Sequence, residues 1–279
     1  MKYIYKCLRL CFSLVLCTVC WSHFVCAQVL VDEPLVSKRK ATSAELTYDD
    51  DFKPALGISY YDVFLRGAKL GRATIEVSQK DDNYVVAVTA RTRGVMKYLY
   101  RVKYRGEVDI KSDPLQPVRA VIEERTGNKR KTIHAEFLKP DKITTVEEET
   151  ENGGSKVKKV KEFDSETFIL DPFSTVFLIR SLDWEIGTDE IFDVFTGNKQ
   201  YELHLACTGE SVLTVGGKSR LAWEIIPQTR TLEKPQKIRM SGFVIYLSQD
   251  EHKEVLKITG DPKIGRIVAN LRKFTEIKE

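Results

Sequence analysis

The sequence predicts a mainly β protein: a large curled antiparallel sheet or (half-)barrel of about a dozen strands enclosing one central helix. Three observations predict it. Along most of the chain, apolar and polar residues alternate with the period of a half-buried strand. Turn residues recur at hairpin spacing. One stretch, DPFSTVFLIRSL from Asp171 to Leu182, breaks the alternation and reads as a helix. A sheet this wide seldom stays flat, so it is expected to close, curl or split. A helix apolar nearly all round must be buried, and the simplest place for it is inside the curl.

The first 27 residues stand apart. MKYIYKCLRL carries Lys2, Lys6 and Arg9 and no acid, CFSLVLCTVCW is an apolar run, and FVCAQ ends it with Val25 and Ala27 at small-residue positions. That is the layout of a secretory signal peptide over residues 1–27, with cleavage expected between Ala27 and Gln28. The alternative is a retained anchor, since the uncharged run is marginally long enough to span. A lipoprotein is a weaker reading, because none of Cys17, Cys20 and Cys26 follows a Leu-small-small run. Export to the periplasm is therefore expected, with a mature chain that does not span the membrane, as no second long apolar stretch occurs. Residues 28–53, polar and weakly periodic, read as a flexible N-terminal arm, and 54–279 as a single β-rich domain.

Composition narrows the class. Five of the 6 Cys leave with the leader and only Cys207 stays, so an exported chain has no internal disulfide and its core must hold it together. Cys207 shares a strand face with Tyr201, Leu203 and Leu205, which marks it as a buried structural thiol. The chain holds 44 Lys+Arg against 40 Asp+Glu, and losing Lys2, Lys6 and Arg9 leaves 41 against 40. That balance is no nucleic-acid signature. A mature chain of roughly 250 residues is long enough for one large core.

The strands come in order. GISYYDVFLRG and GRATIEVSQ turn at Gly67, and in the second Ala73, Ile75 and Val77 share a face. DDNY turns into YVVAVTART. RVKYRGEVDI follows, then a turn at Pro114 and Pro117, residues unsuited to a central strand. VRAVIEERT passes through TGNK into KTIHAEFL, and KPDK into ITTVEEET. NGGS is a hairpin signal, and KVKKVKEF returns. After the helix come EIFDVFT, a second TGNK, QYELHLACTGE, and SVLTVGGKSRLAWEIIPQ across Gly216–Gly217. KIRMSGFVIYLSQD, KEVLKITG and IGRIVANLRKF close the chain.

In the helix, Asp171 is a good N-cap and Pro172 fits the first helical position. Phe173, Val176 and Phe177 make one stripe, and Leu178, Ile179 and Leu182 a second. Arg180 falls on the Phe173–Phe177 side by helical spacing. A buried Arg needs a carboxylate or several carbonyls. One reading has Arg180 pairing structurally near the rim. The sharper one has it facing a cavity with Phe173 and Phe177 and meeting an anionic head group.

These features together resemble the bacterial exported proteins catalogued as domain of unknown function 3108. YYDVFLRGAKLGRATIEV, DPFSTVFLIRSL, FTGNKQYELHLACTGES and FVIYLSQDEHKEVLKITGDPKIGRIVANL carry the resemblance, in that order, over roughly residues 57–272. It implies a β-rich periplasmic domain with an enclosed helix, and no established reaction or catalytic residue. The charged hairpin EEETENGGSKVKKVKEF departs from the family pattern.

For function, the leading expectation is a non-enzymatic envelope protein that binds a lipid or other amphipathic ligand in the curled sheet, with Phe173, Phe177 and Arg180 as ligand-binding residues. The alternative is an envelope scaffold with a filled core whose partner protein meets the hairpin from Glu147 to Lys161. The weakest is a hydrolase. His134 and His204 lie on outward strand faces, no His-x-x-x-His or Cys pair suggests a metal, and no Gly-x-Ser-x-Gly elbow occurs. SQDEHKEV, with Asp250, Glu251, His252 and Glu254, reads as a polar hairpin turn. No cofactor, no metal ligand and no nucleic-acid partner is expected.

Overall fold

The structure is a computed structural model that describes residues 52–94, 102–113, 115–139, 142–151, 154, 157–164, 169–195, 200–231, 238–240, 242–261 and 265–277. The expected signal peptide, most of the expected arm, the Ala27–Gln28 junction and the second TGNK turn lie outside them. Sixteen strands form one sheet. The first eight are β1 (Gly57–Leu65), β2 (Ala68–Lys80), β3 (Asn83–Thr92), β4 (Val102–Ser112), β5 (Leu115–Thr126), β6 (Lys129–Lys139), β7 (Lys142–Glu151) and β8 (Val157–Asp164). Then come β9 (Ile169–Leu170) and the helix α1 (Pro172–Ser181). The rest are β10 (Asp189–Phe195), β11 (Gln200–Val215), β12 (Lys218–Thr231), β13 (Ile238–Met240), β14 (Phe243–Ser248), β15 (Val255–Gly260) and β16 (Ile267–Glu276).

The alternation read from the sequence maps directly onto these strands. Val86, Val88 and Ala90 of β3 are buried together, as are Val102, Tyr104, Val108 and Ile110 of β4. Hairpins join neighbours. Gly216 and Gly217 turn β11 into β12 with φ of +58° and +80°, a left-handed pair whose twist suits a tight hairpin.

The expected curled sheet or (half-)barrel is not what forms. The ladders run as an open path, β8-β7-β6-β5-β4-β3-β2-β1-β16-β15-β14-β12-β11-β10-β9, with β13 paired to β12 off the path. Among the described residues no ladder joins the two ends, and the strands number sixteen, not about a dozen. The reason lies in the end strands. β9 is two residues long and pairs in parallel with β10. In β8, Lys158, Lys159, Lys161 and Glu162 are exposed, and a charged edge resists further pairing.

Side chains join what backbone does not. The helix packs on β3, β4 and β5 of one arm and on β10 of the other. Phe195 at the end of β10 meets Phe137 of β6 and Phe163 of β8, with ring centroids 6.4 and 6.0 Å apart. Phe173 lies against Tyr104 and over Gly106, where a Cβ would stand 2.1 Å from the Phe173 ring. Only a residue without a side chain lets the ring reach the strand. Phe177 packs against Tyr84 and Phe52, so packing begins at the last residues of the predicted arm.

Two substitutions test this core. Gly106→Ala should push Phe173 away and cost about 1–3 kcal/mol, read as a lower thermal midpoint. Phe177→Asp should cost about 4 kcal/mol or more, as an unpaired charge in a core does. An unchanged midpoint in either would show that the helix is not clamped between the arms.

Candidate functional site

The helix is held at both ends by groups from the fold. At its start, Asp171 Oδ1 accepts from the amides of Phe173 (2.8 Å) and Ser174 (3.2 Å), and the Ser174 hydroxyl accepts from the Asp171 amide at 3.1 Å. Asp171 is the N-cap and Pro172 occupies the first turn. Oδ2 of Asp171 is buried without a hydrogen bond. Burial outweighs the bonds from Ser174 and Phe173 and pushes this carboxyl above the ordinary range.

At the other end, Arg180 is buried and donates two hydrogen bonds to backbone. Nε donates to Lys253 O at 3.0 Å and Nη2 to His252 O at 2.9 Å. Its guanidinium lies 5.9 Å from the Phe52 ring centroid and 6.0 Å from that of Phe177. Lys253 returns the contact, donating from Nζ to Leu182 O at 2.5 Å. Trp184 Nε1 donates to Ile179 O at 2.7 Å. Cations and donors thus satisfy the carbonyls that a helix end leaves open. The SQDEHKEV turn supplies this socket. Arg220 bridges Asp250 and Glu254, the latter at 2.5 Å. Burial pushes Asp250 up, but bonds from Arg220 and Ser248 outweigh it and hold the carboxyl below its ordinary range. Tyr61 is buried, which raises its phenol well above the usual range, and it donates to Val255 O at 2.8 Å.

Of the predicted ligand residues, Phe173 and Phe177 are thus buried against the sheet and Arg180 against the turn. The three do not converge on one point. Phe173 looks toward β4, while Phe177 and Arg180 look toward Phe52 and the turn.

A second set of residues emerges on the same inner face, farther out. Phe137, Ile143 and Phe163 stand opposite one another across β6, β7 and β8. One step along the pleat stand Ala135, Thr145 and Lys161, and one further Ile133, Glu147 and Lys159. The face passes from aromatic to charged over about 13 Å, four residues of strand. Lys131 Nζ pairs with Glu147 Oε2 at 2.8 Å, and Thr145 is buried. Phe137 and Phe163 are half-buried, whereas Lys159 and Lys161 are exposed. The signal was present in the departing hairpin. Glu147 and Lys159 fall on the strand face that Ile143 and Phe163 define, but which face turned inward needed the fold.

The chemistry for catalysis is sparse. Among the described residues no three His, Cys, Asp or Glu side chains group as a metal site. His204 meets Asp189 at 3.1 Å, and His252 Nδ1 meets Lys53 O at 2.8 Å. Cys207 is buried, which raises its thiol.

The family model described as "Protein of unknown function (DUF3108)" matches residues 60–272. The chain belongs to this family. The matched residues of this chain run from within β1 to within β16. No curated protein matches. A solved structure titled "Crystal Structure of Beta-barrel-like Protein of Domain of Unknown Function DUF1849 from Brucella abortus" is similar, with a TM-score of 0.53 at 9% identity. The match covers 81% of this chain and 100% of that one, and at such identity it is a likeness of fold alone. No helix among the described residues is long and apolar enough to cross a membrane.

The socket gives two expectations. Arg180→Met leaves the buried Lys253 carbonyl and the part-buried His252 carbonyl without this donor and should cost about 2–3 kcal/mol. The thermal midpoint would then fall by several degrees, and an unchanged midpoint would show that the contacts are dispensable. For Asp171, a raised folded pKa means that the folded state holds the proton more tightly. Its contribution to stability is present below the unfolded value near 4 and is lost as pH rises through the raised folded value. Asp171→Asn keeps a capping oxygen and removes the titration. The variant should gain on the native protein as pH rises from about 4 to 7. Parallel denaturation curves across that range would rule the shift out.

Proposed function

We propose that this DUF3108 protein is an exported, periplasmic, non-enzymatic binding protein that holds a lipid or other amphipathic molecule beside the helix. The observation that carries the reading is the graded inner face of β6–β8. An acyl or other apolar portion would lie against the half-buried Phe137 and Phe163, whose rings rest on the buried Phe195. A polar or anionic head would meet Lys159 and Lys161, which stand at the open edge of the sheet. Arg180 has its place in the socket, where it anchors the end of the helix. Apolar sites with a few placed polar groups are the usual form of such pockets. Export rests on the signal-like leader.

Native mass spectrometry of protein purified gently from its own cells tests the proposal. A reproducible added mass, removed by organic extraction, is expected. Lys159→Glu combined with Lys161→Glu should lower the retained fraction without changing the thermal midpoint of the extracted protein. A clean mass, together with no uptake of a fluorescent fatty acid by extracted protein, would overturn it.

A further inference from the structure

The outer face of the same arm carries a pattern that the fold does not explain. Arg72, Arg91, Lys103, Arg125 and Arg130 stand directly opposite one another across β2, β3, β4, β5 and β6. Neighbouring strands are about 4.8 Å apart, so five cations form a line about 19 Å long. Like charges placed directly opposite are destabilising, and a sheet normally alternates them. Carboxylates reach only the ends of the line. Asp62 meets Arg72 at 3.3 Å and Lys69 at 2.7 Å, and Glu123 meets Arg130 at 2.9 Å. Among the described residues, no carboxylate lies within ion-pair distance of Arg91, Lys103 or Arg125, and all three are exposed. Arg93 lies beside the line; partial burial, then the field of Arg91 and Arg72, hold it below the usual guanidinium range.

The line is narrow. The next row toward the middle of the strands reads Thr74, Thr89, Arg105, Glu123, Thr132 and Glu148, and the one beyond it includes Glu76 and Glu107. A flat anionic surface laid over this face would meet those acids as well. None of the exposed large apolar side chains lies on the line to enter a bilayer. No aromatic stands in it to stack a base, as single-stranded nucleic-acid grooves require. Four of the five cations are Arg, whose planar fork grips carboxylates in pairs. We infer that this row is a docking line for a linear acidic polysaccharide, with one carboxylate per sugar. The repeat of an extended chain of pyranose sugars is close to the spacing of the strands.

The experiment is binding of the full chain, as purified, to alginate by calorimetry or biolayer interferometry, with dextran as the neutral control. Alginate should bind, dextran should not, and affinity should fall steeply with added salt. Arg91→Glu, Lys103→Glu and Arg125→Glu together should weaken binding about tenfold or more. The same charge change at Lys80, Lys111 and Lys218, exposed cations off the line, should not. The milder pair Arg91→Gln and Arg125→Gln guards against misfolding. It should lower alginate affinity while raising the thermal midpoint, because it relieves like-charge opposition. Equal binding of alginate and dextran would overturn the inference, as would equal loss in both triple variants. Tighter line-dependent binding to phosphatidylglycerol vesicles or to a single-stranded oligonucleotide would also overturn it, and would name the partner instead.

Discussion

A ten-residue helix with almost no polar side has nowhere to exist except between two apolar surfaces, and the architecture follows from meeting that demand. One surface alone would leave Leu178 and Ile179, or else Phe173 and Phe177, in water, at roughly 1.5–3 kcal/mol each. The two arms of the sheet meet it together. β3–β5 supply Tyr84, Tyr104 and the bare backbone of Gly106, while β10 covers another side. The clamp also explains why the sheet can leave its ends unpaired. Aromatic contacts of Phe195 with Phe137 and Phe163 hold the arms through side chains, so no closing ladder is required.

Burying a helix also buries its unpaired ends, and this chain treats the two ends differently. At the start the cap is local, with Asp171 and Ser174 exchanging bonds within one turn. At the finish it is remote, since Arg180 and Lys253 are bonded across more than seventy residues. The exchange is reciprocal: each cation serves carbonyls of the other's segment. That reciprocity ties the placement of the helix to the β14–β15 turn, and through Tyr61 and Val255 to β1. The Asp–Glu–His cluster that a sequence reader would weigh as reactive is thereby accounted for as a socket.

How much of this was legible depends on the range of the information. Strand faces were readable, because alternation is a property of neighbours two residues apart. The cap at Asp171–Pro172 was readable for the same reason. Arg180 could be recognised as needing carbonyls, but not whose, because His252 and Lys253 lie far along the chain. The open sheet was not legible. Strand count argues for closure, and only the two-residue β9 and the charged β8 argue against it. The former is too short to show a period, and the latter looks like any hairpin arm. Glu147, at the start of the charged hairpin, is buried beside Lys131, a pairing that no local pattern announces.

The two faces of the first arm divide charge in a way that stability alone does not favour. A sheet selected only to fold would pair cations with acids across strands, as Lys131 and Glu147 do. The inner face near β8 keeps cations at an edge beside aromatic rings, and the outer face sets five in file with acids only at its ends. The outer file thus places Arg91, Lys103 and Arg125 where, among the described residues, no carboxylate pairs with them, and the inner face exposes Lys159 and Lys161 at the edge. Mutually repelling charge that the fold does not neutralise, as in the outer file, is cheapest to keep when something outside neutralises it. The inner gradient, bounded by rings, suits a small molecule with one charged end. The outer file, long, exposed and without rings, suits an extended chain that carries its charges at intervals.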